Sequence, residues 1–381
     1  MAYFDNAATS YPKPDEVYSF MNSFYQNHGG SAGRGNYDLA NTAKRIVEET
    51  RELLQDLLHC SAKQVIFTPT ATVALNMIIQ GIIAKGVQTV YISPFEHNAV
   101  TRTLHSFEAL GKITVAELAV SDSFEYDFTR IRYQFDAARP DLVIVSHASN
   151  VIGLVAPVGS IFALAKEYGA ITLVDMAQTA GLIDLNVGLE TIDFAVFAGH
   201  KTLLGPTGIS GFLMKPNFDL PPVLFGGTGY DSANQDMPDS LPEKYEIGTL
   251  NIVGIAGLNA ALKWIKAQTI AKLFAVEEKR RRCLLSLLGD YDFLKIVGNV
   301  KGCNYVGIVS CLINGISSES AGNIFSERGI SVRTGLQCAP RTHKFLGTYP
   351  AGTIRFSVNA LTSDRDFEEL RDALDDIEIN L

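Results

Sequence analysis

The sequence of 381 residues lacks any apolar stretch of about 18 uncharged residues, so we expect no membrane-spanning helix. Its N-terminus has no basic segment followed by an apolar core, so no secretory signal is expected. The five cysteines are odd in number and lack the spacing of a disulfide framework, which predicts free thiols in a reducing cytoplasm.

Positive charge is also scarce. The 32 Lys and Arg residues are outnumbered by 41 Asp and Glu residues, and the resulting net charge of −9 argues against a nucleic-acid partner. The one basic cluster, Lys279–Arg282, follows two glutamates, and we expect it to lie on a solvated helix face. No metal site is predicted.

The hydrophobic content of 47% allows a chain of this length to bury one large and one smaller domain. Amphipathic helices are predicted at 36–59 and 72–84, and short apolar strands then alternate with helical stretches. The predicted strands are 89–93, 142–147, 171–175, 194–199 and 208–214, with 114–119 as a further candidate. This alternation predicts an α/β fold with a mostly parallel, doubly wound sheet.

The pattern changes in the last third of the chain. The segment 225–248 is rich in Gly, Pro, Asp and Ser, which predicts an irregular loop that is functional or at an interface. From about residue 255, a long helix, a few strands and an acidic helix at 364–379 predict a smaller α+β C-terminal domain. We expect a large domain at 15–254, and a small domain formed by 1–14 and 255–381.

Lys201 is the first candidate for chemistry, because it follows a buried-strand pattern at 192–198 and precedes a glycine turn. A lysine at the mouth of a buried strand is costly unless it has a function. A desolvated amine loses its proton readily and suits a Schiff base with pyridoxal phosphate (PLP). In isolation, a surface lysine that closes a strand is the more common explanation.

A second buried-strand pattern about 25 residues upstream ends in Asp175, with Gln178 three residues on. PLP enzymes need a carboxylate against the pyridine nitrogen, and open α/β sheets bind ligands at the carboxyl ends of their strands. Alone, such an aspartate is usually a turn or helix cap. Asp175 and Lys201 together, each ending its own strand, favour a PLP site.

Other strand ends carry candidate cofactor contacts. The segment Thr68–Asn76 passes from a strand into a helix whose N-terminus offers a phosphate site, although an ordinary threonine cap is the alternative. His97 follows the strand at 89–93 and could stack on the pyridine ring and transfer protons, or simply start a helix. Asn150 follows another strand and could donate to the ring hydroxyl.

Five segments in this order resemble the class V aminotransferase group of fold-type I PLP enzymes, and within it the cysteine desulfurase and selenocysteine lyase branch. These segments are Tyr3–Ala8, Glu96–His97, Ser146–Asn150, Asp175–Gln178 and Gly199–Lys201. The resemblance extends from residue 3 to the C-terminal helix. It implies the fold-type I architecture and a homodimer with shared active sites.

The resemblance also implies the cofactor ligands. Lys201 would hold PLP, Asp175 would pair with the pyridine nitrogen, and His97 would stack on the ring. The ring oxygen would contact Asn150 and Gln178, and the phosphate would contact Thr72, the Ala71 backbone, His200 and, from the other subunit, Thr249. Ala198 stands where the family often has a serine, so one hydroxyl that would bind the phosphate is absent.

Arg355 matches the family arginine that binds the carboxylate of the amino-acid substrate, for which its planar fork is suited. Asn6 and Ala7 lie where the family closes the site over the substrate. Arg34 lies near the position of an arginine that family members contribute at the dimer interface.

Cys338 decides the expected reaction. It lies in a short polar loop with Arg333, Arg341 and His343 nearby, and neighbouring cations favour the thiolate nucleophile. The loop resembles the short Arg-x-Gly-x-His-Cys-Ala loop of the second, SufS-like desulfurase group, although Gln337 replaces the usual histidine. The other four cysteines are expected to be core or incidental residues.

The resemblance therefore implies a cytoplasmic, PLP-dependent cysteine desulfurase. It would convert L-cysteine to L-alanine and pass the outer sulfur of a Cys338 persulfide to an acceptor, for which a sulfur-acceptor protein is a candidate. The alternatives are a selenocysteine lyase, another class V C–S lyase or epimerase, an aminotransferase, and a PLP-binding scaffold with little turnover. The sequence does not distinguish sulfur from selenium.

Overall fold

The computed structural model describes residues 1–33, 35–230 and 233–380. Its largest sheet has seven strands: β2 (Gln64–Thr68), β3 (Thr89–Ile92), β4 (Thr114–Glu117), β5 (Leu142–Ser146), β6 (Ile171–Asp175), β7 (Phe194–Ala198) and β8 (Ser210–Met214). Their order is β2-β8-β7-β6-β5-β3-β4, and β8 is antiparallel to both of its neighbours while the others run parallel. The predicted mostly parallel sheet is confirmed.

Helices cover both faces of this sheet, which explains why its central strands are continuous apolar runs. Every residue of β5 and β7 is buried. Alternate strand residues belong to two separate apolar cores. The helices of this part are α1 (Asp15–His28), α2 (Asp38–Leu57), α3 (Ala71–Ala84), α4 (Asn98–Glu108), α5 (Phe128–Ala137), α6 (Val158–Glu167) and α7 (Ile252–Gln268). The sequence analysis did not predict α1 or β2 as elements with bounds.

A second sheet lies in the C-terminal part and has its own apolar core. Its four antiparallel strands, in the order β12-β13-β10-β9, are β9 (Leu294–Val297), β10 (Ile308–Ile313), β12 (Arg333–Gly335) and β13 (Thr353–Ser357). The N-terminal β1 (Ala2–Tyr3) pairs in parallel with β11 (Ile330–Ser331). The remaining helices are α8 (Ile270–Gly289), α9 (Ser318–Glu327), α10 (Pro340–Phe345) and α11 (Asp364–Asn380).

The long helix predicted after residue 255 is two helices. Thr269, between α7 and α8, has a φ of 69°, and its hydroxyl accepts from Lys272 N at 3.4 Å to cap α8. α7 packs against α1 and α2, whereas α8 packs against β9 and β10. The break therefore lies where the chain passes from one sheet to the other.

The prediction that Lys279–Arg282 forms a solvated face is wrong at Arg281. Its guanidinium lies 4.3 Å from the centre of the Tyr305 ring and donates to Asn299 Oδ1 at 2.8 Å. The preceding Glu277 is also buried, accepts from Gly307 N at 2.7 Å, and has a pKa raised to about 8 by burial. Long basic side chains cover apolar surface with their stems, so a charged pattern does not by itself indicate exposure.

The segment 225–248 forms no helix or strand among its described residues, as predicted. It ends at a buried ion pair in which Arg51 Nη2 lies 2.7 Å from Glu246 Oε2. Glu246 also accepts from Phe67 N at 2.7 Å, and the Arg51 guanidinium lies 4.7 Å from the centre of the Phe67 ring. These contacts anchor the residues after Glu246 to α2 and β2. No described helix has the length and apolarity needed to span a bilayer.

We predict that Arg51→Ala lowers the free energy of unfolding by about 3–5 kcal/mol, because the buried Glu246 carboxylate loses its partner. Urea denaturation followed by circular dichroism measures this loss. Arg132→Ala is the control, since Arg132 pairs with Glu167 on the exposed surface and its loss should barely move the midpoint. Equal midpoints for the two variants would contradict the anchoring role.

Candidate active site

The carboxyl ends of the parallel strands meet at one edge of the large sheet, where they border a cavity of about 220 Å³. All the predicted cofactor ligands except Thr249 line this cavity: Ala71, Thr72, His97, Asn150, Asp175, Gln178, His200 and Lys201. The structure thus brings together residues that are up to 130 positions apart in the sequence.

Lys201 and Asp175 supply opposite charges to this cavity. Lys201 is half-buried and borders the cavity, and burial lowers the pKa of its amine to about 8 against the opposing effect of Asp175. Burial raises the pKa of Asp175, while a bond from Ala177 N to Oδ1 at 2.9 Å and the charge of Lys201 favour its ionised form. A substantial fraction of the Lys201 amine is therefore neutral near physiological pH.

His97 caps α4, and its Nδ1 accepts from Ala99 N at 3.0 Å. Burial, followed by the positive charge of Lys201, lowers its pKa to about 4. The ring is therefore neutral at pH 7 and carries its proton on Nε2. His97 therefore both starts α4 and lines the cavity.

Two buried polar atoms of the cavity residues have no hydrogen-bond partner within the described part of the chain: Asn150 Oδ1 and His200 Nδ1. Such atoms are costly unless a ligand satisfies them. The N-terminus of α3 adds the backbone N–H groups of Ala71 and Thr72, while Thr70 caps the helix by accepting from Val73 N. Together with a carboxylate and a low-pKa lysine in the same cavity, these donors and acceptors fit a phosphate-bearing pyridine such as PLP.

The N-terminal segment closes one side of the site. Gln178 Nε2 donates to Ala7 O at 2.9 Å, and Ala7 N donates to Ser357 Oγ at 2.9 Å. Asn6 Nδ2 donates to Ser357 O at 2.9 Å, and both Asn6 and Ala7 line a smaller cavity of about 40 Å³ that Lys201 also borders. The segment therefore connects the Lys201 cavity to the end of β13.

Arg355 lies on β13 and is almost fully buried. Its Nη1 donates to Asn150 O at 2.8 Å and its Nη2 donates to Asp5 Oδ1 at 2.8 Å, while Nε has no partner among the described residues. Asp5 Oδ2 lies 3.0 Å from Arg333 Nη2. The sequence analysis quoted Asp5 in a motif without assigning it a role, because its partners lie more than 300 residues away.

Cys338 does not line this cavity, but it lies close to residues that do. Its carbonyl oxygen accepts from Asn98 N at 2.7 Å, next to His97, and it lies near enough to Lys201 to affect the pKa of the amine. The residue is exposed, has a φ of 58° and borders an open groove of about 550 Å³. Cys338 is therefore accessible and adjacent to the residues of the cavity.

The cations predicted around Cys338 are either paired with a carboxylate or uncharged. Arg333 is paired with Asp5, and Arg341 Nη1 lies 2.8 Å from Glu117 Oε1. His343 is completely buried, and this burial lowers its pKa to about 4, so it is not a cation at neutral pH.

Glu96 is a site residue to which the sequence analysis assigned no role. It is fully buried and accepts from Ser93 Oγ at 2.6 Å, Ser146 N at 2.6 Å and Ser146 Oγ at 2.8 Å. Burial raises its pKa to about 7. It ties the ends of β3 and β5 together behind His97, and an acidic residue directly after a buried strand was the only signal for it.

The structure places Thr249 apart from this cavity. Thr249 is exposed and borders a separate pocket of about 440 Å³ with the segments 31–33 and 227–229. Arg34 lies outside the described residues.

Comparison with known proteins places these features in context. Residues 2–370 match the family model for aminotransferase class-V. Two proteins named "Probable cysteine desulfurase", from Methanothermobacter thermautotrophicus and Pyrococcus abyssi, are each 30% identical over 98% of this chain and 94% of their own length. A solved apo structure of cysteine desulfurase from Thermococcus onnurineus has a TM-score of 0.90 and 28% identity, covering 100% of this chain and 95% of its own.

We predict that apoprotein takes up PLP with a rate that rises with pH and levels off above about 8, because the reactive species is the neutral Lys201 amine. An ordinary lysine would continue to gain reactivity up to a pKa of 10.5. The measurement is the rate at which the visible band of lysine-bound PLP forms. Lys201→Ala should form no band, and a midpoint near 10.5 would contradict the assignment.

Proposed function

The chain belongs to the aminotransferase class-V family, and on that premise we propose that it is a PLP-dependent cysteine desulfurase that converts L-cysteine to L-alanine. Enzymes of this family use PLP, which suits the polar groups of the cavity. The observation that carries the proposal is the accessible Cys338 next to the residues of the cavity that contains Lys201 and Asp175. Transfer of an amino group needs no such thiol, whereas transfer of sulfur as a persulfide does.

The cavity residues divide between the two ends of the cofactor. Lys201 would bind its aldehyde carbon, Asp175 its pyridine nitrogen, and Asn150 and Gln178 its ring oxygen, with His97 against the ring. Thr72, the Ala71 backbone and His200 Nδ1 would bind the phosphate. When bound, PLP supplies the electron sink that makes bonds at the substrate α-carbon labile.

Arg355 binds the substrate carboxylate, which is supported by its buried and unpartnered Nε. Asn150 O and Asp5 hold the two terminal nitrogens and orient the guanidinium plane. Asn6 and Ala7 close the site over the substrate on the side of β13. These contacts restrict how an amino acid is oriented.

The Lys201 amine can move a proton near pH 7. Its pKa is about 8, so its neutral form can accept the proton of the α-carbon. His97 is neutral and carries its proton on Nε2, from which it can donate a hydrogen bond, and its bond to Ala99 N fixes the orientation of the ring.

The sulfur step takes place at Cys338. Its sulfur attacks the substrate sulfur, so that an S–S bond forms while the C–S bond of the substrate breaks and its β-carbon receives a proton. L-Cysteine and the thiol thereby become L-alanine and a Cys338 persulfide, and an acceptor thiol then removes the outer sulfur. Arg102 and Lys344 line the groove beside Cys338, although the net charge of the chain is −9. These local positive charges favour an acceptor protein with an acidic docking surface.

The protein acts as a homodimer with shared active sites in the cytoplasm. Large apolar side chains are exposed on α1 and in the segments that border the Thr249 pocket, including Tyr18, Tyr25, Tyr37 and Phe225. Such a surface favours an interface between subunits. Thr249 and Arg34 would then reach the cavity of the partner subunit. The large domain spans 15–254, and the small domain spans 1–14 and 255–381. Most of α7 follows residue 254, and this helix packs against α1 and α2 of the large domain.

Cys338→Ala should lower sulfide and alanine release from L-cysteine by a factor on the order of 10² or more, because the nucleophile is lost. The visible band of lysine-bound PLP should remain. Cys283→Ala is the matched control, since Cys283 is exposed on α8 and should leave the rate unchanged. Unchanged sulfide release from Cys338→Ala would contradict the persulfide step, and turnover of selenocysteine alone would contradict the proposed substrate.

Mixing subunits tests the shared site. Thr249→Asp should weaken PLP binding by repelling the phosphate, and Lys201→Ala should be inactive. A mixed dimer of the two contains one intact site if Thr249 acts across the interface, so activity and the PLP band should return after the subunits are exchanged. No recovery, with mixed dimers demonstrated by native mass spectrometry, would show that Thr249 does not act in the partner's site.

A further inference from the structure

Gln337, which directly precedes Cys338, is buried in a network of hydrogen bonds. Its Nε2 donates to Thr353 O at 2.9 Å, and its Oε1 lies 2.9 Å from His343 Nε2. Thr353 Oγ1 donates to the same Oε1 at 3.3 Å. Both polar atoms of the side chain are therefore satisfied inside the small domain.

The backbone at this point is held in an unfavourable conformation. Gln337 and Cys338 have φ values of 39° and 58°, in the left-handed region that disfavours side chains. Such residues persist only where the surrounding contacts determine their conformation, and they cluster at functional sites. The Gln337 side-chain contacts supply this support from β13 and α10.

The same two residues are tied to the site through their carbonyl oxygens. Asn150 Nδ2 donates to Gln337 O at 2.6 Å, and Asn98 N donates to Cys338 O at 2.7 Å. Asn150 O in turn accepts from Arg355. The position of the Cys338 sulfur is therefore coupled to the arginine assigned to the substrate carboxylate.

His343 belongs to the same network of hydrogen bonds. Because Gln337 Oε1 can only accept, His343 Nε2 carries a proton, and Nδ1 is left to accept from Thr348 Oγ1 at 2.8 Å. Burial lowers the pKa of His343 to about 4. An amide does not titrate, so neither side chain is suited to give up a proton at neutral pH.

We propose that Gln337 and His343 are positioning residues that hold Cys338 within reach of the bound substrate, and that neither transfers a proton in the reaction. This inference rests on the proposed desulfurase function. The support comes from hydrogen bonds between neutral groups, which the Gln337 amide makes without titrating.

The test compares Gln337→Ala and His343→Gln with the wild-type holoenzyme. Gln337→Ala should lower kcat for alanine formation by a factor on the order of 10², as expected for misplacement of a reacting group, with KM for L-cysteine nearly unchanged because Arg355 is intact. His343→Gln retains a donor to Gln337 and should lose less activity. Its rate should keep both limbs of the wild-type pH profile.

Tyr291→Phe is the matched control, because it removes a partly buried hydrogen bond to Asp375 in the same domain, far along the sequence from the Cys338 loop. It should leave kcat unchanged. Hydrogen exchange in the peptide 336–343 should be faster in Gln337→Ala and unchanged in Tyr291→Phe. The visible PLP band confirms that each variant is folded and loaded.

Three results would overturn the proposal: a Gln337→Ala kcat close to wild type, unchanged hydrogen exchange in that variant, or loss of a limb of the pH profile in His343→Gln. The exchange measurement does not depend on desulfurase activity. If the wild type released no alanine from L-cysteine, the proposed function would fail, while the exchange data would still test the support of the loop.

Discussion

The burial of Lys201 and Asp175 at the ends of neighbouring strands is the constraint on which the rest of the site depends. β6 and β7 are adjacent and parallel, with Asp175 in register with Val196, so the carboxylate and the lysine that follows β7 open into one cavity. Burying either charge alone is costly, and the two opposite charges offset part of that cost. The same burial that depresses the Lys201 pKa makes its amine reactive.

The small domain is joined to this cavity by polar contacts at its edge. Asp5 receives Arg355 and Arg333 from neighbouring strands β13 and β12, and Asn150 links the carbonyl oxygen of Gln337 to Arg355. The N-terminal strand β1 and Phe4 belong to the core of the small domain, although the sequence separates them from it by more than 250 residues. The arginine proposed for the substrate carboxylate and the backbone of the Cys338 loop therefore belong to one connected group of hydrogen bonds.

Much of the fold follows from local patterns. The predicted strands agree with the structure within one or two residues, because parallel strands covered on both faces are uninterrupted apolar runs. The break at Thr269 and the burial of Arg281 were not predictable, because both depend on packing against distant residues. The cationic setting expected for Cys338 also changed, since Arg333, Arg341 and His343 have partners or burial that spacing does not reveal.

The amino-acid sequence by itself determined the class of the fold, the family and most of the residues that line the cavity. The fold class and the candidates Lys201 and Asp175 depend on apolar periodicity and on polar residues placed directly after strands, which are local properties, whereas the family and contacts such as His200 come from the resemblance of five segments. Only the tertiary structure decided how the side chains are paired: Glu96 with two serines, Asp5 with two arginines, and Gln337 with His343. The pairings of Glu96 with Ser146 and of Asp5 with both arginines join segments that are adjacent only after the sheets form. Burial and charge, which set each pKa, exist only in that arrangement.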